Sequence, residues 1–442
     1  MGQSTDRLNP VHKLKRLSGV STFRRTGRVA QVVGLTIESD GPPASLGELC
    51  WVDLPDGTHR ATEVVGFRDS RILLMPLGDL EGIGPGLTVR AAGRPLAVPI
   101  AREALGRVLD GLGRPIDNKA PFVCEEYRPL VAPPPDPLKR ERVTKPLPLG
   151  VRVIDAFLTC GLGQRIGIFG GSGVGKSSIL GMFARYAKAD LNVIALIGER
   201  GREVRDFIER DLGPEGLARS VVVVVTSDQP ALLRIKGALT AASIAEFFRD
   251  QGAHVLLMMD SVTRLCMAQR EVGLAVGEPP TTRGYVPSVF SLLPRLLERS
   301  GMGEKGSVTG LYTVLVEGDD MNEPVADAVR SILDGHVVLS REMAAANHYP
   351  AVDVLQSQSR VFLDIVAPEH RMAAGRIRNL MAVHAKARDL LDVGAYVAGS
   401  NPEVDLALKV WPEIQTFLKQ APEEAAGYEA IVRGLRELAE RQ

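Results

Sequence analysis

Cysteine is scarce in this chain: four residues, Cys50, Cys124, Cys160 and Cys266, lie far apart. There is no CxxC pair and no Cys/His cluster at zinc spacing. That argues against a disulfide scaffold or a zinc module and for free thiols in a reducing compartment. Histidines such as His254, His336, His348, His370 and His384 also lack ligand spacing and read as core or surface residues. Net charge is missing too: 53 basic residues balance 53 acidic ones, so nothing pulls the whole chain toward nucleic acid or an anionic membrane. No apolar run approaches the roughly 18 residues needed to span a bilayer. The first twenty residues carry Asp6, Arg7, Lys13, Lys15 and Arg16 without an apolar core, so no secretory signal is expected. Asp6 stands where an acylation signal would need Ser or Thr. What remains is an ordinary globular composition, 45% hydrophobic and 24% charged, with length for about three domains.

The pattern changes along the chain. Residues 1–23 form a separate basic segment in which Val11, Leu14 and Leu17 share a helical face. It reads either as a solvated tail or as an amphipathic contact for a partner or an anionic lipid surface. Residues 24–95 hold short alternating runs such as "GRVAQVVGLTIES" and "RILLMPLG", broken by Gly, Pro and Asp; this predicts a small β-barrel or sandwich, of which the barrel is favoured. A Gly/Asp-rich turn region at 106–117 leads to the proline-rich "YRPLVAPPPDPLKR", expected to lie extended over the surface. From 96 to 366 apolar strand runs alternate with helical periodicity: "RIGIF", "VIALI", "VVVVV", "VLLMM", "LYTVLV" and "HVVLS". That is the pattern of an α/β domain with a mainly parallel sheet. After 366 the strands stop. Ile377, Leu380, Met381, His384 and Leu391 share one face, as do Ile431, Leu435 and Leu438, which predicts a helical C-terminal domain over 367–442.

The chemistry begins at "GGSGVGKSS": Gly170, Gly171, Ser172, Gly173, Val174, Gly175, Lys176, Ser177 and Ser178. It fits G-x-x-x-x-G-K-[ST], with a strand before it and a helix after it. Such a loop folds tightly around an anion, with backbone N–H groups aimed at phosphate oxygens from the positive end of a helix. Lys176 is placed to reach the β- and γ-phosphates, and the Ser177 hydroxyl to ligate Mg²⁺. The strand "HVLLMMD" ends in Asp260, a second candidate magnesium ligand. Another strand ends in Glu199, in "VIALIGERGRE". A carboxylate there either lies in the ligand crevice and polarises a water, or is a solvated loop acid.

Together, "GGSGVGKSS", "IGERGREVRDFIERDLG", "DSVTRLCMAQREVGLAVGEPPTTRGYVPSVFSLLPRLLERSG", "YTVLVEGDDMNEPVADAVRSILDGHVVLSR" and "YPAVDVLQSQSRV" resemble the catalytic subunits of rotary ATPases. More narrowly they resemble the ATPases of flagellar and virulence type III protein export. The likeness runs over about 24–420, and the segment 388–418 is more similar to the export branch, the flagellar one especially. The resemblance implies a P-loop ATPase using ATP and Mg²⁺, with a small β-barrel before it and helices after it. It places the water-activating acid on Glu199, and gives Arg200 a part in holding that motif or the γ-phosphate. It makes Arg360, in "SQSR", an arginine finger directed at the neighbouring subunit.

The same resemblance implies a homo-hexamer in the cytoplasm, peripherally associated with the inner-membrane export apparatus. Its partners would be a regulatory stator subunit, a central stalk protein, the export gate, export chaperones and substrate proteins, with no nucleic acid. The loop 273–288 either merely connects or faces a central channel, where Arg283 and Tyr285 would touch a stalk or cargo. One departure stands out: after Arg360 there is Phe362 but no tyrosine to stack on adenine. Three other readings compete. One is the catalytic subunit of an ion-translocating ATP synthase. Another is a nucleotide-holding regulatory subunit, against which Glu199 speaks. The last is an RNA-translocating hexamer, disfavoured by the barrel's lack of an aromatic platform.

Overall fold

The computed structural model describes residues 25–316, 318 and 320–441; the basic segment 1–23 lies outside them. The fold divides between Leu96 and Ala97 into two compact units. In the first, β1 (Thr26–Val33), β2 (Thr36–Asp40), β3 (Glu48–Asp53), β4 (His59–Arg68), β5 (Arg71–Pro76) and β6 (Thr88–Pro95) close into a barrel in the order β1-β2-β5-β4-β3-β6. Alternation makes this possible, because each strand sends every second side chain inward. Val29, Ile37, Cys50, Val52, Val64, Ile72, Leu74 and Val89 fill the interior. Closure pairs β1 with β6, so no edge strand is left unpaired.

The second unit begins with β7 (Ala97–Ile100), β8 (Val108–Leu109) and β9 (Glu126–Pro129). Its centre is a nine-stranded sheet. The further strands are β10 (Arg165–Gly170), β11 (Leu191–Glu199), β12 (Ser220–Thr226), β13 (His254–Asp260), β14 (Gly301–Met302), β15 (Ser307–Leu315), β16 (Gly335–Leu339) and β17 (Val352–Ser359). They run in the order β17-β16-β10-β15-β13-β11-β12-β8, with β14 beside β15. All neighbours on the main path are parallel except β16 and β17. Helices α1 (Arg152–Phe157), α2 (Lys176–Tyr186), α3 (Ala231–Asp250), α4 (Val262–Val276), α5 (Pro287–Leu297) and α6 (Pro324–Ile332) fall between the strands. Three more, α7 (Pro368–Asp392), α8 (Pro402–Leu418) and α9 (Tyr428–Ala439), follow the sheet. Their apolar faces share one core with α1 and the sheet: Ile377, Leu380, Ile414 and Leu435 join Phe157, Ile168 and Val354.

The sheet positions the chemistry. In an open parallel sheet the loops after the strands gather on one edge, and ligands bind there. Here β10, β11 and β13 all run the same way, so Gly170, Glu199 and Asp260 reach that edge together.

Two surface expectations change. The proline-rich stretch is not wholly superficial, since Leu130 is 1% exposed and its carbonyl accepts from Arg299 Nη1 at 2.8 Å. Tyr285 is no contact surface either. It is 4% exposed, packs edge-on to Phe290, and its hydroxyl donates to Glu323 Oε1 at 3.2 Å. An apolar ring gains more by burial beside Phe290 than in water. Arg283 alone stays at the surface, paired with Asp320 at 2.7 Å.

Candidate active site

A cleft of about 570 Å³ opens at the carboxyl edge of the sheet. Ser172, Gly173, Gly175, Lys176, Ser177 and Ser178 line one wall; Glu199, Arg200, Asp260 and Arg264 line the other. The loop between β10 and α2 turns back on itself through Gly173 and Gly175, at φ 79° and 91°. Glycine takes this left-handed backbone without the steric cost other residues meet. Gly175 caps α2, whose first N–H groups carry the positive end of the helix dipole. Val174 differs from its neighbours. Its side chain is 2% exposed and joins the core, so only its backbone faces a ligand. Gly170 and Gly171 turn their carbonyls inward, and Lys176 Nζ donates to them at 2.8 and 2.6 Å. Burial holds the Lys176 ammonium below its usual range, while Asp260 and Glu199 pull it back up.

Asp260 closes β13 and is 9% exposed. Its Oδ1 accepts the Thr313 hydroxyl from β15 at 2.6 Å. Burial pushes its carboxyl above the ordinary range, against the pull of that hydrogen bond and of Lys176. Such a buried acid gains from a cation, and the hard oxygens of Asp260 and Ser177 suit Mg²⁺. Glu199 sits at the end of β11, three strands along the sheet from β10. Burial, reinforced by the Asp260 charge, pushes its carboxyl up to about 7. Arg264 Nε lies 4.0 Å from Glu199 Oε1 and opposes that rise. Gly198, at φ 73°, lets this happen: a Cβ there would come within 2.9 Å of the Arg264 side chain. Arg200 lines the mouth, mostly exposed, and pairs with Glu203 at 3.2 Å.

Among the cleft residues that the sequence motifs do not single out are Arg264 and Tyr349. Arg264 stands on the first turn of α4, behind the Ser261 cap. Tyr349 lines the cleft and is 39% exposed, with its ring 3.3 Å from where a Gly175 side chain would begin. It belongs to the connection after β16, which the sheet order lays beside β10. It precedes Arg360 in the chain and is not in the segment after it, where the sequence leads one to expect the stacking aromatic.

Arg360 is not in this cleft. It follows β17, whose Ser359 is level with Gly335, and β16 runs parallel to β10 with Gly167 opposite His336. Its backbone N–H donates to Asp334, beside Arg165. Arg360 is therefore level with the start of β10, about 17 Å along the strand direction from Gly170, at 3.3 Å per residue. Its guanidinium is exposed, and among the described residues its one hydrogen bond is to the Arg330 carbonyl at 3.4 Å.

Comparison with known proteins follows the same division. Residues 29–93 match the β-barrel domain of the ATP synthase alpha/beta family, and 150–359 match that family's nucleotide-binding domain. Residues 366–437 match the T3SS EscN ATPase C-terminal domain. The chain is 52% identical to the flagellum-specific ATP synthase of Bacillus subtilis, over 94% of its own length and 96% of that protein. It is equally 52% identical to the type 3 secretion system ATPase of Xanthomonas euvesicatoria, over 94% of each chain. The structure of the assembled ATPase EscN from the enteropathogenic E. coli type III secretion system superposes with a TM-score of 0.89. It is 46% identical, covering 93% of this chain and all of that one. EscN in complex with its central stalk EscO gives 0.87 at 45% identity, over 93% of this chain and all of that one. The chain belongs to the ATP synthase alpha/beta family, in its branch of type III secretion and flagellum-specific ATPases.

Proposed function

We propose that this chain hydrolyses Mg-ATP to energise type III protein export. The observation that carries the reading is one cleft that joins a P-loop, the buried acid Asp260 and the poised acid Glu199. The loop N–H groups and Lys176 hold the phosphates, Lys176 giving up the Gly170 and Gly171 carbonyls to do so. Ser177 and Asp260 hold Mg²⁺, which supplies charge neutralisation at the transferring phosphoryl group when bound. Glu199 orients the attacking water and takes its proton, and Arg264 keeps that carboxylate in place. Tyr349 offers its ring to the adenine. Arg200 supports the mouth of the site, and Arg283, exposed on its loop, is offered for contact with a stalk or cargo.

Arg360 cannot serve its own cleft from the far end of β10, so we infer that it serves a neighbour's. One chain carries both halves of the site, which suits a head-to-tail homo-hexameric ring. EscN has been solved assembled and with a central stalk, which supports the same arrangement here. A regulatory stator, the export gate, chaperones and substrate proteins complete the proposed partners. Among the described residues no helix is long and apolar enough to cross a membrane. We place the chain in the cytoplasm, attached peripherally to the inner-membrane export apparatus. The match at 366–437 favours export over ion translocation. Flagellar and virulence relatives match equally, so the likeness supports export as a class.

Phosphate release from Mg-ATP by the purified chain tests the reading. Glu199→Gln should keep nucleotide binding and lose about 10²–10⁴-fold in kcat; hydrolysis at the unaltered rate would sink it.

A further inference from the structure

The strand that ends in the phosphate loop begins with the frame that holds Arg360. Gln164, just before β10, is fully buried. Its Nε2 donates to the Asp334 carbonyl at 3.1 Å and to Ser359 Oγ at 3.0 Å, and that hydroxyl donates on to the Thr159 carbonyl at 3.1 Å. The same Asp334 carbonyl accepts the backbone N–H of Arg360 at 2.9 Å. The Asp334 side chain is engaged elsewhere. Arg165 Nε and Nη2 grip its two oxygens at 2.9 Å each, and the Arg165 N–H adds a third bond at 3.1 Å. Arg165 is in turn anchored to Glu298 at 2.5 Å.

This arrangement has two effects. The bidentate fork fixes Asp334, and through its carbonyl the backbone at 360. It also occupies the carboxylate of the residue whose carbonyl holds the Arg360 backbone. Among the described residues the Arg360 guanidinium has no carboxylate partner. An arginine already paired in its own protomer would meet a neighbour's phosphate at a disadvantage, because the internal pair would first have to break.

We propose that Asp334, clamped by Arg165, is a positioning residue for Arg360: it fixes the backbone there while being kept from neutralising the guanidinium. The proposal rests on the reading that Arg360 acts across the subunit boundary. Asp334 touches no nucleotide and acts only through Arg360.

The test is Asp334→Asn in the full-length chain, measured as Mg-ATP hydrolysis in assembled rings. Misplacement of a group by about 1 Å can cost on the order of 10²-fold, so kcat should fall roughly 10- to 100-fold. KM for ATP should stay within about two-fold, the mark of an interaction made only in the transition state. Mixing supplies a readout that a general folding defect would not move. Glu199→Gln protomers have a silent cleft and a sound finger, and Asp334→Asn protomers have the reverse. In randomly mixed rings about one quarter of clefts pair two sound halves, so activity should rise toward about a quarter of the unaltered rate.

Unchanged kcat for Asp334→Asn in intact rings overturns the proposal. So does a loss that mixing does not restore, when Arg360→Ala mixed with Glu199→Gln is restored. If that control mixture itself stays silent, the trans reading of Arg360 has failed, and this proposal with it. Should Asp334→Asn not form rings, Arg165→Lys carries the test. It keeps the charge but loses the fork; the same kcat loss and the same rescue are expected, and a normal kcat in intact rings refutes the idea.

Discussion

At Glu199 the fold opposes the charge that the proposed role as base needs. Burial and the nearby Asp260 push the carboxyl up to about 7, whereas an unfolded glutamate ionises near 4.3. Between these values the unfolded chain has lost a proton that the folded chain keeps, so stability from this group falls as pH rises through that window. Glu199→Gln removes the effect. Without nucleotide its melting temperature should exceed that of the unaltered chain at pH 8, and the gap should shrink toward pH 5. A gap that does not change with pH would show that Glu199 ionises normally. Tyr349 makes a separate prediction: an aromatic pair contributes about 0.5–1.5 kcal/mol beyond burial. Tyr349→Ala should therefore raise KM for ATP about 3- to 10-fold with kcat little altered, and Tyr349→Phe should restore it; equal KM values would exclude stacking. Lys176 and Ser177 were legible because their spacing is itself the signal, and Asp260 because an acid closes an apolar strand run. Tyr349 and Arg264 were not, because only the order of the strands brings them to the loop.

Among the elements, the buried strands announced themselves as apolar runs: β10, β11, β12 and β13 lie where "RIGIF", "VIALI", "VVVVV" and "VLLMM" stand. β17 escaped notice because "VDVLQSQS" is wholly polar after Leu355, as suits a strand at the sheet's edge. β8 is only two residues long and pairs with β12. Hidden also was the buried cluster behind the sheet. Arg299, 3% exposed, grips Glu246 of α3 through Nε and Nη2 at 2.7 Å each and Ser243 at 3.0 Å. It thereby ties α3 to the turn after α5 and to the carbonyl of Leu130. No local pattern pairs residues 53 apart in sequence. Removing one partner leaves the other charge buried and alone, which costs about 3–5 kcal/mol. Glu246→Ala should lower unfolding free energy by that amount in denaturant titrations of the full chain, while exposed Arg433→Ala stays within about 0.5 kcal/mol. A loss below about 1 kcal/mol at Glu246 would mean that water enters and solvates Arg299.

For the whole molecule, a balanced charge and the halves of a site at opposite ends of one strand point the same way. With 53 charges of each sign, copies of the chain do not repel one another strongly, and head-to-tail contact is not opposed. Each protomer holds a phosphate loop at one end of β10 and presents Arg360 level with the other. On the proposal that Arg360 serves a neighbour's cleft, a solitary protomer binds ATP without completing the charge neutralisation that hydrolysis demands. Binding and turnover should separate on dilution: nucleotide affinity per protomer stays constant, while the rate per protomer falls as rings dissociate. An arginine finger is worth about 10³–10⁵ in rate. Arg360→Ala should therefore be slow at every concentration, and its rate should converge with that of the unaltered chain at high dilution. Sedimentation and phosphate release on the same dilution series would check this. If the rate per protomer stays flat from micromolar rings down to fully dissociated protomers, each chain completes its own site, and Arg360 has another task.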